Sequence, residues 1–129
     1  MRLAKGLVTL SAIAFAVTGL GYLVAPGTIL SVVGIESAAT SDFLIRTEGV
    51  ALLAGAGFLW AVREGTPAQF RLVLVSIAFY CIVGALVDLA AFDHGIVGVA
   101  SVPSGIVRIG IGGVCLIAAW RVSRATSSG

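Results

Sequence analysis

Charge is what this sequence has least of. Asp, Glu, Lys and Arg make up 11% of its 129 residues, where soluble domains carry about 25%. With a hydrophobic share of 59% and a mean hydropathy of +1.13, that shortage excludes a water-soluble fold. A domain this short buries too small a fraction of its surface to hide so much apolar side chain, so lipid must solvate much of it. Histidine is nearly absent too, His94 being the only one, and the two cysteines, Cys81 and Cys115, form no C-x-x-C. Without zinc or redox spacing, no metal site and no cofactor is expected. Both cysteines fall in apolar stretches and read as small buried hydrophobes; a disulfide would need two helices to present them at one depth. Also missing are a Gly-x-Ser-x-Gly elbow, a phosphate-binding loop and a metal-binding histidine pair. The net charge of +2 is too small to suggest a nucleic-acid partner.

What is there is apolar and long. A membrane-spanning helix needs about 20 mostly apolar residues, and four stretches qualify: 3–24, 43–62, 70–92 and 104–122. The first follows Arg2 and Lys5 like a secretory signal, but its apolar run is longer than a signal core and no convincing small-x-small cleavage site follows, so it reads as a permanent helix. The segment 26–41 is too short to cross and reads as a short interfacial or half-buried helix. Asp42, with Ser41 as the alternative, can cap the second span. Arg63-Glu64-Gly65-Thr66-Pro67 is a tight polar turn, and the loop of small and β-branched residues after Asp93-His94-Gly95 breaks at Pro103. Trp60 and Trp120 sit near span ends, as aromatic belts prefer. The tail from Arg121 is polar and reads as frayed. The fold class expected is all-α, a four-transmembrane-helix bundle in one domain, with a short interfacial helix after the first span.

Basic residues accumulate in cytoplasmic loops. Arg2, Lys5, Arg63, Arg71, Arg121 and Arg124 all fall on one side of a four-span chain, and the two opposite connections hold only Glu36, Asp42 and Asp93. Both termini are therefore expected in the cytoplasm, with the protein multi-pass in the cell (inner) membrane. Pairs of small residues, among them Ala12 with Ala16 and Ala51 with Gly55, and Gly112 one turn from Arg108, offer faces for close helix approach.

The remaining charges carry the candidate chemistry. Arg46, Glu48, Asp88 and Arg108 lie inside the spans, where ionisable groups face the bundle interior and pair with one another. Counted from the outer ends, each sits about one turn deep, so all four share a layer in the outer half of the bilayer. On the third span Ser76, Tyr80, Gly84 and Asp88 recur every four residues along one face, and Tyr22 reaches the same layer from the first span. Together these residues can form a polar cavity, and they can equally serve only to fix helix register or snorkel to headgroups. Arg46 and Glu48 are about 200° apart on their helix, so they cannot both point at one pocket centre. Asp93-His94 reads either as a proton shuttle or as a solvated turn ending a helix.

Three stretches carry a family resemblance. Ala25-Pro26-Gly27 through Gly34-Ile35-Glu36, Arg46-Thr47-Glu48-Gly49 with Gly55 and Gly57, and Asp93-His94-Gly95 resemble a bacterial group of uncharacterised small four-helix membrane proteins, loosely related to the DoxX-like group. In that group a proline and an apolar half-helix follow the first helix, an arginine-and-glycine segment starts the second, and an Asp-Gly turn follows the third. The chain departs from the pattern at Val50, where the family usually has a second glycine, and at Arg108, where it tends to carry an acid. The family has no settled activity, so the resemblance implies architecture only.

Two functions follow from these residues. One is a binding or accessory bundle with a polar pocket, its partners the lipid bilayer, a lipophilic small molecule, and a second copy or larger membrane complex; Arg46, Arg108, Tyr22 and Ser76 would bind the ligand. The alternative is a membrane enzyme of isomerase or cyclase type, with Asp88 or Glu48 as general acid or base and Tyr80 donating a hydrogen bond. A proton-coupled exporter is the weakest reading, because four-helix drug exporters place an essential acid in the first helix and this first span has none.

Overall fold

A lipid-solvated backbone must satisfy its own polar groups, which helices do along their length, and this chain is helical nearly throughout. The computed structural model describes residues 2–99 and 101–127. Its helices are α1 (Arg2–Val24), α2 (Pro26–Val32), α3 (Ala39–Ala61), α4 (Pro67–Asp93) and α5 (Ser101–Ser127), with a 3-10 turn at Val62–Glu64 after α3. All but α2 are long and apolar enough to cross a membrane. The protein is thus a multi-pass, all-helical membrane bundle.

The helix ends differ from the sequence reading, for local reasons. The half-helix expected over 26–41 stops at Val32, because Gly34 takes a left-handed φ of +78°. There the Ile35 N–H reaches Leu30 O at 2.9 Å and the Gly34 N–H reaches Ser31 O at 3.2 Å, a closure that satisfies the last carbonyls of a helix. The second long helix begins at Ala39, not Phe43. Neither Ser41 nor Asp42 is its N-cap. Ser41 lies inside the first turn, where its Oγ accepts from the Ala38 N–H at 2.9 Å, and Asp42 Oδ1 accepts from Ser37 Oγ at 2.7 Å. The polar residues assigned to the loop are folded into the helix start.

At the next helix, Thr66 Oγ1 accepts from the Gln69 N–H at 3.3 Å and Gln69 Oε1 accepts from the Thr66 N–H at 2.7 Å. This reciprocal cap places Pro67 at the first helical position, where its missing N–H costs nothing. Pro103, expected to break the chain, lies in the first turn of α5, whose N–H groups have no intrahelical partner in any case. The polar tail continues that helix through Ser127, and its last two residues lie outside the described ones.

The helices pack as two pairs, α1 along α3 and α4 along α5. The first pair is closest at Gly19 and Gly49: a Cβ on Gly49 would stand 2.9 Å from both Gly19 O and Tyr22 Cβ. The second packs tightly at Gly112, where a Cβ would stand 2.8 Å from Ile82 Cγ1. Among the small residues read as packing faces, Ala12 and Gly112 are buried and Gly55 lies against the Phe15 ring, but Ala51 is exposed.

The two pairs join at the end that carries the termini. There Ala4 and Val8 of α1, Leu59 of α3, Leu74 and Ala78 of α4 and Cys115 and Ala118 of α5 form one core. Lys5 Nζ meets Glu64 Oε2 at 2.6 Å across the surface of this end. The guanidiniums of Arg63 and Arg124 lie 4.0 and 3.8 Å from the ring centroids of Trp60 and Trp120. Towards the opposite, loop end the pairs separate, and α3 and α4 scarcely touch. A backbone bond clasps that end: the Gly98 N–H donates to Val33 O at 2.7 Å.

Candidate functional site

Separation of the pairs leaves a cavity of about 610 Å³ in the loop half. That size lies within the range of small-molecule sites, roughly 300–1,000 Å³. Ile29, Leu30, Val33 and Ile35, from α2 and the turn after it, roof it. Leu44 and Ile45 of α3 and Phe79, Val83 and Val87 of α4 line its two flanks. Leu44, Phe79 and Val87 are each more than 60% exposed, so the opening faces sideways, through the α3–α4 gap, into the surroundings of an intramembrane helix.

Polar groups gather at the back and floor of this apolar space. Arg108 of α5 pairs with Asp88 of α4, Nη1 to Oδ2 at 3.4 Å. Its guanidinium lies over Gly84, where a Cβ would come within 2.7 Å of Nη1, so a side chain at residue 84 would displace the arginine. Glu48 of α3 accepts from Tyr80 Oη of α4 at 3.4 Å, a bond that spans the gap between the helix pairs. The Tyr80 ring is held from behind by Phe15 of α1, with centroids 5.3 Å apart and planes tilted by 58°. Tyr22, Ser41, Ser101 and Ser104 complete the polar lining.

Along their helices the charges lie more than one turn from the loop-facing ends. Because α3 starts at Ala39, Glu48 is about 14 Å below the start of its helix, and Arg108 is about 10 Å below Ser101, at 1.5 Å per residue. Asp88 lies about 8 Å from the Asp93 end of α4.

Of the residues singled out from sequence, the cavity gathers Tyr22, Glu48, Tyr80, Asp88 and Arg108 and leaves out two. Arg46 is exposed and turns the other way, donating from Nη1 to Leu23 O at 3.1 Å. It closes the end of α1, where carbonyls lack partners and the helix dipole favours a cation. Ser76 is also outside, its Oγ donating to Leu72 O at 3.0 Å within its own helix. The His94 residue sits in an exposed turn that ends α4, its N–H bonded to Ala90 O at 3.1 Å. Cys81 and Cys115 are free, buried thiols in the core at the terminal end.

No protein-family model matches the chain, and no curated protein or solved structure shows significant similarity to it. The site must therefore be read from its own chemistry.

Sequence reasoning missed the α2 roof, together with Ser101 and Ser104. The apolar half-helix was visible, but nothing in its composition says that it folds back over the bundle. The two serines lay in a stretch read as loop or span edge. Their signal was the backbone: Ser101 Oγ donates to Gly98 O at 2.8 Å, anchoring the start of α5 beside the clasp. Among the described residues no group of His, Cys, Asp and Glu gathers closely enough to hold a metal ion. The arrangement can do two things chemically. It can hold an amphiphile, tail among the apolar flanks and head at the polar floor, and it presents a carboxylate bonded to a phenol.

Proposed function

We propose that this protein is a lipophilic-ligand-binding bundle of the cell membrane, taking an amphiphile sideways from the bilayer through the α3–α4 gap. The observation that carries this reading is the cavity of about 610 Å³, apolar on its flanks and charged at its floor. A channel for water or ions would need polar walls from end to end, whereas here the terminal half is a closed core. An orientation with both termini in the cytoplasm is part of the proposal. It is supported by Arg2, Lys5, Arg63, Arg71, Arg121 and Arg124 at the terminal end, and by the lack of Lys or Arg in the opposite connections. Kinship with the bacterial DoxX-like group belongs to the proposal as well and rests on the Arg46–Gly49 and Gly34–Glu36 segments.

The test is a thermal-unfolding titration of delipidated protein in nonionic detergent with single-chain lipids. Ligand that binds the folded state alone raises Tm with concentration. Filling the cavity with Ile45→Trp or Ser104→Trp, both at its lining, removes the shift while the protein stays folded. A shift that survives both substitutions places binding elsewhere and refutes the reading.

The Tyr80–Glu48 bond favours a second reading, acid–base isomerisation of a lipophilic substrate. Glu48 would move the proton, and Tyr80 would donate to the developing charge. Incubation with a membrane lipid extract should then give mass-neutral conversions that Glu48→Gln and Tyr80→Phe abolish. Conversion that persists in folded variants rules this chemistry out.

A further inference from the structure

The charges facing the cavity do not balance. Arg108 is matched by Asp88 at 3.4 Å. Glu48 is left with Tyr80 alone, a neutral donor at 3.4 Å to Oε1, and no ion pair or hydrogen bond from a described residue reaches its Oε2. Arg46 stands two residues away in sequence but cannot compensate, because its guanidinium is directed to Leu23 O at the end of α1 and does not line the cavity. The lining thus holds one more carboxylate than it holds cations. A carboxylate within a membrane-spanning helix is normally met by a positive partner, and among the described residues none forms an ion pair with Glu48. The space in front of it is apolar and opens to the side.

We propose, resting on the binding reading above, that the ligand class is an amphiphile with a cationic headgroup, an alkylammonium, whose charge is received by Glu48 while its chain lies between Leu44, Val83 and Val87. Tyr80 positions the carboxylate by its hydrogen bond. Arg108 is already matched by Asp88 at 3.4 Å, so the surplus charge of the lining is the Glu48 carboxylate, and it sets the preference. An anionic amphiphile would face an unmatched carboxylate, and a neutral one would leave it unpaired.

The experiment uses three single-chain probes with identical mid-chain diazirines and with trimethylammonium, hydroxyl or sulfonate heads, so that charge is fixed at every pH. The full chain in nonionic detergent is irradiated with each, and the labelled residues are located by mass spectrometry. In the unmodified protein the ammonium probe should label cavity residues about tenfold more than the hydroxyl probe, equivalent to about 1.4 kcal/mol, and the sulfonate probe least. In Glu48→Gln the ammonium-to-hydroxyl ratio should fall to about one, and in Glu48→Asp it should remain high. The double variant Glu48→Gln with Asp88→Asn leaves Arg108 unmatched and should turn the order over in favour of sulfonate. Equal labelling by all three heads, or a preference that survives Glu48→Gln, overturns the cationic ligand and leaves a binding cavity standing. Labelling by no probe inside the cavity overturns the binding reading and this inference together. Should Glu48→Gln not fold, the order of the three probes on the unmodified protein still decides the matter.

Discussion

The two halves of the bundle use the same helices to opposite ends. In the terminal half Val8, Leu74 and Cys115 are fully buried and all four long helices share one core. In the loop half those helices line an open space containing Glu48, Asp88 and Arg108. A single helix shows the change: α4 buries Val73, Leu74, Ile77, Ala78 and Cys81, then offers Tyr80, Gly84 and Asp88 to the cavity. Lipid tails are as apolar as leucine, so no hydrophobic force drives such helices together, and what holds them is close packing and polar contact. The terminal half has packing and closes. The loop half holds its polar groups at the back of a space that stays open on the α3–α4 side.

The largest way to break this contrast is to remove the approach that keeps α1 on α3 in the open half. In Gly49→Leu the new Cβ would meet Gly19 O at 2.9 Å, a backbone atom that cannot turn aside. Overpacking costs about 1–3 kcal/mol and occasionally more, and the loss here should reach about 3 kcal/mol because the clash parts two helices. Gly57→Leu on the same helix is the control, since a Cβ there meets nothing within 4 Å. Steric-trap unfolding in bicelles measures both. Equal losses would mean that the helix pairs are not held by this crossing.

A second comparison trims one leucine from each half. Leu74 is wholly buried and Leu44 is 61% exposed at the cavity flank. Leu74→Ala should cost about 2–3 kcal/mol through lost contacts and the void left behind, whereas Leu44→Ala should stay within about 0.5 kcal/mol. Should Leu44→Ala prove the costlier, the cavity flank would be a packed surface and the contrast between halves would collapse. The same unfolding assay decides it.

How much of this was legible follows from residue chemistry. A charge within an apolar run needs a reason, so Glu48, Asp88 and Arg108 announced themselves, and Tyr80, two four-residue steps before Asp88, followed. Ser76 misled because a four-residue step advances about 400°, drifting about 40° each time; three steps before Asp88, Ser76 is about 120° off the cavity face, and its hydroxyl had a carbonyl in its own helix to bond. Helix starts were misread where polar residues can cap from inside the first turn, as Ser41 does, or where a proline fits there, as Pro103 does. Those shifts of a few residues lengthen the helix ahead of Glu48 from about one turn to more than two. The roof was illegible because it depends on a long-range contact, Gly98 with Val33, that no local pattern encodes.

That contact gives the smallest and most selective test. Gly34 holds a φ of +78°, and a Cβ on it would stand 3.1 Å from the Gly98 nitrogen whose N–H donates to Val33 O. Gly34→Ala therefore strains the turn that ends α2 and presses on the clasp, a cost of about 1 kcal/mol for a left-handed residue with a Cβ. A loss that small leaves the terminal core intact. What should change is local opening, which is drawn from the least-packed region of a fold. Hydrogen exchange should speed up several-fold at Gly34, Ile35 and Gly98 and remain unaltered at Leu74, Ala78 and Cys115. With the roof looser, the cavity-dependent Tm shift given by a single-chain lipid should shrink. Faster exchange spread evenly through both halves would show that the bundle opens as one unit, and the clasp would then have no separate part in holding the cavity.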